Sequence, residues 1–293
     1  MIELFLKYLQ YEKNYSSHTV LSYKTDLEGF SAFSTKQNGN FEPTEIESKL
    51  IRQWIVSMIE QGMSPRSANR KISTLKTFYR FLLRSGLTST NPVKTIKALK
   101  PEKKLPLFFK ERELDRALDA TIIDKKDFET CRNLLIIEMF YETGIRLSEL
   151  VNLKDSNVDL SAKTIKVLGK RNKERIIPFG KKMYKNIIMY KNLRDEIPNR
   201  DQTYLYIKKN GEKMYSRLVY QIVYNTMSEH SSLSKRSPHV LRHTFATSVL
   251  NAGAELNAVK EILGHASLAA TQIYTHTTFE QMRNAYKKAH PRA

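Results

Sequence analysis

Six residues of this chain, Arg146, Lys170, His239, Arg242, His265 and Tyr274, carry side chains that together could neutralise a phosphodiester and attack it. Five are cationic or proton-carrying, and the sixth holds a nucleophilic oxygen. A metal-free phosphoryl transfer has to stabilise charge spreading over the nonbridging oxygens, pass a proton to the leaving oxygen and supply an attacking group. The set holds a candidate for each task, so no cofactor and no metal is called for. Tyrosine with its ordinary pKa of about 10 is a weak nucleophile, and positive charge close by would be needed to activate it.

Each candidate sits in a distinctive local setting. In Ser237-Pro238-His239-Val240-Leu241-Arg242-His243-Thr244-Phe245, proline at a helix start puts His239 and Arg242 three apart on one face. Val240, Leu241, Phe245 and Val249 then turn toward a core. Lys170 lies in the turn from Gly169 to Glu174, where a hairpin tip would project its ammonium. That lysine could protonate a leaving oxygen, or it could belong to a solvated basic turn that binds backbone phosphates through Arg171 and Lys173. His265 follows a glycine expected to end a helix, with Tyr274 nine positions on. Glu149, one helical turn from Arg146, is expected to orient a buried arginine.

The elements that must position these groups can be read from periodicity. Apolar spacing near 3.6 over residues 2–13, 17–34, 44–61 and 65–85 predicts a four-helix module, with Ser17, Thr44 and Ser64 as caps and Gly62 and Gly86 as stops. A proline-punctuated basic stretch at 98–107 reads as a linker between residues 1–97 and 108–293. Beyond it, helices are expected at 110–121, 127–143 and 146–153, then near 181–194, 216–230, 238–252, 255–263, 267–273 and 278–289. Strands are expected at 164–168, 175–179 and 204–207. The fold class is therefore mainly α with a small antiparallel β-sheet, in two domains.

The 293 residues hold 49 Lys plus Arg against 30 Asp plus Glu, a formal charge of +19. Residues 1–100 contribute 15 basic and 8 acidic side chains, so the excess is spread over both halves. Polyanions are the natural partners, and both halves are expected to touch them. Arg66, Arg70 and Lys71 in the fourth helix, with Lys103 and Lys104 in the linker, are candidate phosphate contacts, although a solvated face explains the helical three equally well. Cys131 is the only cysteine, which rules out an intrachain disulfide and suggests a reducing compartment, with the residue in the core. No apolar run approaches a membrane span and no signal segment is apparent, so a cytoplasmic, nucleoid-associated protein is expected.

The motifs Thr143-Gly-Ile-Arg146-Leu-Ser-Glu-Leu150, Gly169-Lys170 with Asn172-Lys-Glu-Arg175, His239-Val-Leu-Arg242-His-Thr-Phe-Ala-Thr247 and Leu263-Gly-His265 leading to Thr271-Gln-Ile-Tyr274-Thr-His276 resemble those of tyrosine recombinases, and more narrowly of the Xer group of chromosome-dimer resolvases. The ending His290-Pro291-Arg292-Ala293 is also Xer-like. The resemblance implies an N-terminal core-binding domain and a C-terminal catalytic domain closing around duplex DNA. It implies that Tyr274 attacks the scissile phosphate to give a 3′-phosphotyrosyl bond, and that Arg146 and Arg242 hold the nonbridging oxygens. Lys170 would be the general acid, His239 would assist proton transfer, and His265 would hydrogen-bond the phosphate.

It further implies a tetramer of like or unlike subunits that exchange the segment Phe279 to Ala289, working through a Holliday junction, with a DNA translocase as an accessory partner. The turn departs from the family at Arg171, where glycine usually follows the lysine. His243 and His276 match family text without a catalytic role, His243 reading as a packing or supporting residue. A mobile-element integrase shares the same chemistry, and a non-catalytic basic DNA-binding protein would use the same cations only to touch phosphate.

Overall fold

The computed structural model describes residues 1–100, 107–119, 127–169, 173–254 and 256–264. The chain divides into two compact units, Met1–Lys104 and Leu105–Ala293. The mainly helical class with a small antiparallel sheet is as the sequence indicates. Among the described residues no helix is long and apolar enough to cross a membrane.

The first unit is built from α1 (Ile2–Lys7), which runs on into a π-helical turn at Tyr8–Glu12, α2 (Ser17–Asn38), α3 (Ser48–Glu60) and α4 (Pro65–Arg84). Phe5, Leu27, Phe30, Ile51, Trp54, Phe78 and Leu82 close its core. Burying one such side chain stabilises by roughly 1.5–3 kcal/mol. Ser64 caps α4 as read, its Oγ accepting from the Ser67 N–H at 3.3 Å with Pro65 in the first turn. The other two caps differ. Ser16, not Ser17, accepts from the Thr19 N–H and starts α2. Thr44 donates its hydroxyl and its N–H to Glu42, so it belongs to a turn, and α3 begins only at Ser48. α2 also continues a turn past the expected end, to the left-handed Gly39, because a residue at positive φ is what releases the backbone there.

The second unit contains α5 (Glu111–Asp119), α6 (Phe128–Thr143), α7 (Leu147–Val151), β1 (Val158–Asp159), β2 (Thr164–Leu168), β3 (Glu174–Pro178), α8 (Lys181–Asp195), α9 (Ser216–Ser228), α10 (Pro238–Asn251) and α11 (Leu256–Leu263). The sheet is antiparallel in the order β1-β2-β3, with Ile165 opposite Ile177 and Leu168 opposite Glu174 at the turn end of the β2–β3 hairpin. Ile165, Val167 and Ile177 turn inward, while Lys166 and Glu174 pair on the outer face at 2.7 Å. Residues 204–207 do not form the expected strand. Tyr204 and Ile207 make only isolated bridges, to Lys154 and Lys213, because the partner backbone at Lys154 turns into a 3-10 turn at Asp155 and the pairing goes no further.

α6 is buried on every side from Leu135 to Thr143, with Glu138 and Glu142 enclosed among its apolar residues, and packs against α8, α9 and α10. Cys131 lies within it, buried. Val240, Leu241, Phe245 and Val249 of α10 all face this core. Gly144 ends α6 in the left-handed region at φ +58, and a Cβ there would stand 2.5 Å from Phe245 Cδ1 and 2.8 Å from Leu263 Cδ2. Only glycine allows α6, α10 and α11 to converge so closely.

Candidate active site

The convergence of those helices brings together three arginines that are remote in sequence. An α-helix leaves its last carbonyls without intrahelical donors and with partial negative charge. At the end of α11 these carbonyls are answered one by one. Arg175 Nε donates to Ile262 O at 2.6 Å, Arg242 Nη2 to Leu263 O at 2.5 Å, and Arg146 Nη2 to Gly264 O at 2.5 Å. Arg242 also donates through Nη1 to Gly144 O at 2.5 Å, so one guanidinium ties the ends of α6 and α11. Gly264 is left-handed at φ +61, and a Cβ there would lie 3.3 Å from Nη1 of both Arg146 and Arg175. The missing side chain is what lets two guanidinium groups close over this turn.

Glu149 is the shared anion of the cluster. Sitting in the first turn of α7, it accepts the Arg146 N–H at 2.8 Å and Arg146 Nη1 at 2.7 Å. It also takes both Nη groups of Arg175, at 2.9 and 2.7 Å. Burial alone would push its carboxyl up, but the hydrogen bonds and charge of Arg175 and the N–H of Arg146 outweigh that and bring its pKa to about 2. The expectation that Glu149 orients an arginine holds, and it orients two.

Arg242 is different. It is 7 % exposed, and the atoms it contacts are carbonyl oxygens. Burial first, then the like charges of Arg146 and Arg175, lower its pKa to about 10, with Glu149 only partly opposing them. Three guanidinium groups thus surround one carboxylate. Each guanidinium has five N–H donors, of which Arg242 and Arg146 each direct two at the contacts above. A surplus of fixed positive charge with donors in reserve suits a tetrahedral, singly charged anion whose two nonbridging oxygens can each meet a planar guanidinium fork, such as a phosphodiester.

His239 stands exposed in the first turn of α10, its ring centroid 4.5 Å from that of His243 in an edge-on arrangement. His243 therefore supports the ring that precedes it by one turn. Lys170, Arg171, His265 and Tyr274 lie outside the described residues, as do Lys103, Lys104, His276, the expected helices at 267–273 and 278–289, and the segment Phe279 to Ala289. The hairpin that carries Lys170 is described up to its neck, where the Gly169 N–H donates to Lys173 O at 2.8 Å. Lys173 itself is exposed.

Of the basic residues of α4, Arg66 is exposed. Arg70 is half-exposed and donates to Asp26 Oδ2 at 2.5 Å and to Ser22 Oγ at 2.7 Å. Lys71 is the most enclosed of the three: its ammonium pairs with the buried Asp26 at 3.0 Å, which Arg70 shares, and lies over the Trp54 ring, only 14 % of the side chain remaining exposed. Arg175 is the residue that sequence reasoning missed. It stood within a quoted motif, but no spacing rule links it to a carbonyl at position 262.

Comparison with known proteins places this geometry in context. The model of the phage integrase family matches residues 108–281, and that of the phage integrase N-terminal SAM-like domain matches residues 2–86. A protein of Oceanobacillus iheyensis named tyrosine recombinase XerC is 40 % identical, covering 100 % of this chain and 96 % of its own. The XerC of Bacillus subtilis is 36 % identical over 100 % of this chain and 96 % of its own. Among solved structures, XerA recombinase is 28 % identical with a TM-score of 0.50, over 100 % of this chain and 98 % of the other. XerH site-specific recombinase bound to a palindromic difH substrate is 23 % identical with a TM-score of 0.71, over 97 % and 82 %, a likeness of fold.

Proposed function

Because the chain belongs to the phage integrase family and is a site-specific tyrosine recombinase, we propose that it cuts and rejoins duplex DNA through Tyr274, in the manner of Xer-type resolution of chromosome dimers. In this scheme the Tyr274 Oη–P bond forms as the P–O5′ bond breaks. The phenolic proton passes toward His239, and the Lys170 ammonium gives its proton to the departing 5′ oxygen. Arg146 and Arg242 take the charge that gathers on the nonbridging oxygens, and His265 adds a hydrogen bond. The 5′-hydroxyl of a partner strand then attacks the phosphotyrosine, restoring the phenol and creating a Holliday junction.

The observation that carries this reading is the anchoring of Arg242 and Arg146 on the carbonyls of Leu263 and Gly264, immediately before His265. Two clamping groups and the backbone that leads into the third phosphate ligand are held as one unit. Relatives named XerC that match over the full length support the Xer-type role. Positive charge in both halves supports contact of both with duplex DNA, through Arg66, Lys103, Lys104, Arg171 and Lys173, and through the outer edge of Arg70. The working form is a tetramer that exchanges the segment Phe279 to Ala289, acting on nucleoid DNA in the cytoplasm. A translocase that delivers the chromosome sites would be its accessory partner.

A nicked suicide substrate tests the assignment. The chain is expected to become covalently trapped on it, whereas Tyr274→Phe binds the same DNA and forms no adduct. An adduct from Tyr274→Phe would remove the nucleophile assignment, and failure of the unaltered chain to trap any family site would remove the reaction.

A further inference from the structure

Arg175 has no part in the scheme above, yet it joins three elements of the site, β3, α7 and α11. It is the second residue of β3, on the strand that returns from the Lys170 turn. Its Nη1 and Nη2 grip both oxygens of Glu149 at 2.9 and 2.7 Å, and its Nε holds Ile262 O at 2.6 Å. The same Nη1 would lie 3.5 Å from a Cβ placed on Gly169, with Glu149 Oε1 at 3.7 Å, so the hairpin neck rests directly on this pair. One planar fork therefore fastens the neck of the hairpin to the element that carries Arg146 and to the end of the helix that precedes His265.

We propose that Arg175 is a positioning residue of the recombinase reaction, the tie that sets the general-acid hairpin against the arginine clamp. The proposal rests on the recombinase reading. Arg146 keeps Glu149 and Gly264 O without it, and Arg242 keeps both of its carbonyls. Ile165, Val167 and Ile177 hold the hairpin to the core, and what depends on Arg175 is its polar tie at the neck, since the hairpin makes no other hydrogen bond to α7 or α11 among the described contacts. Side chains that act through geometry lose rate steeply, a misplacement of about 1 Å costing up to roughly 100-fold. Lysine cannot replace this arginine, because a single ammonium on a flexible stem cannot hold two carboxylate oxygens and a carbonyl at once.

The test compares Arg175→Lys and Arg175→Gln with the unaltered chain and with Lys170→Ala, on two nicked substrates. One has the natural scissile phosphate, and the other has sulfur in place of the 5′ bridging oxygen. A thiol has a pKa near 8.5, so a departing thiolate needs little help from an acid. On natural DNA, at saturating protein and well below the melting temperature of each variant, the Arg175 variants are expected to form adduct roughly 10- to 100-fold more slowly. On the sulfur substrate they should recover to within a few-fold of the unaltered chain, as should Lys170→Ala. A purely structural loss would slow both substrates alike. Deficits of equal size on the two substrates, deficits that track the folded fraction, or natural rates in Arg175→Lys would overturn the positioning role. Absence of any adduct from the unaltered chain would instead sink the recombinase reading beneath it.

Discussion

Arg194 and Arg242 are both buried in the second unit, but they are held in opposite ways. Arg194, at the end of α8 and 1 % exposed, donates to Asp155 at 2.8 Å and to Asp195 at 2.9 Å. Burial would lower its pKa, yet the two carboxylates more than offset that and raise it. Arg242 contacts carbonyls and faces two further arginines, and its pKa falls well below the ordinary arginine range, to about 10. A shift of that size corresponds to a cost on the order of 3 kcal/mol for keeping the charge. The first arginine is complete within the protein. The second is complete only when an anion arrives, and that difference separates a scaffold cluster from a reacting one.

The contrast would break if the two arginines responded alike to the same substitution. Arg242→Met should lower adduct formation by roughly 100- to 1,000-fold, the loss typical of one transition-state donor, while thermal unfolding moves little, since an uncompensated charge is removed along with two hydrogen bonds. Arg194→Met should do the reverse. Lys191 and Arg200 still partner Asp155 and Asp195, so a loss of about 2 kcal/mol is expected, below the full penalty for orphaning a buried charge. Adduct formation per folded molecule should be unchanged. The two measurements, a suicide-substrate time course and a denaturant melt, decide the matter together.

Glu149 sharpens the contrast from the acid side. Its carboxyl titrates near 2 in the folded chain against 4.5 when unperturbed. A depressed carboxylate pKa adds stability that is fully present above the unfolded value and disappears as pH falls through the folded one. The contribution of about 3 kcal/mol should therefore drain away between about pH 4.5 and pH 2. Glu149→Gln should flatten that part of the stability profile, read as melting temperature against pH, and an unchanged profile would mean the carboxylate is not held as described.

The sequence revealed this site unevenly, for physical reasons. Arg242, His239 and the inward Phe245 could be read because a helix fixes their relative directions within a few residues. Glu149 could be read because it lies one turn from Arg146. Arg175 could not, since its meaning comes from Ile262, 87 positions away, and periodicity carries no information at that range. The misplaced caps have a local cause. Ser16 and Ser17 offer the same hydroxyl, and only the N–H of Thr19 picks between them. Thr44 had a closer acceptor in Glu42. Lys71 looked like a surface cation because the charge of Asp26, 45 positions back, is hidden from any helical pattern. Burial also decides what becomes of these charges. Asp26 meets two cations and a Thr74 hydroxyl and is internally balanced, much as Arg194 is.

The smallest expected effect probes the missing anion directly. If the Arg242 cluster, with three guanidinium groups to one carboxylate, is short of negative charge, a small tetrahedral anion should bind it and stabilise the fold with no DNA present. By mass action, sulfate at ten times its dissociation constant would add about 1.4 kcal/mol. Sulfate also strengthens burial in any protein by exclusion from the surface, so the raw shift in melting temperature means little. The informative quantity is the difference between variants at fixed ionic strength. Arg194→Met should gain as much from sulfate as the unaltered chain, because its cluster already holds its own carboxylates. Arg242→Met should gain only the general part. Equal gains in all three would show that the three-arginine site has no appetite for an anion, and the distinction between the two buried arginines would then be one of partners alone.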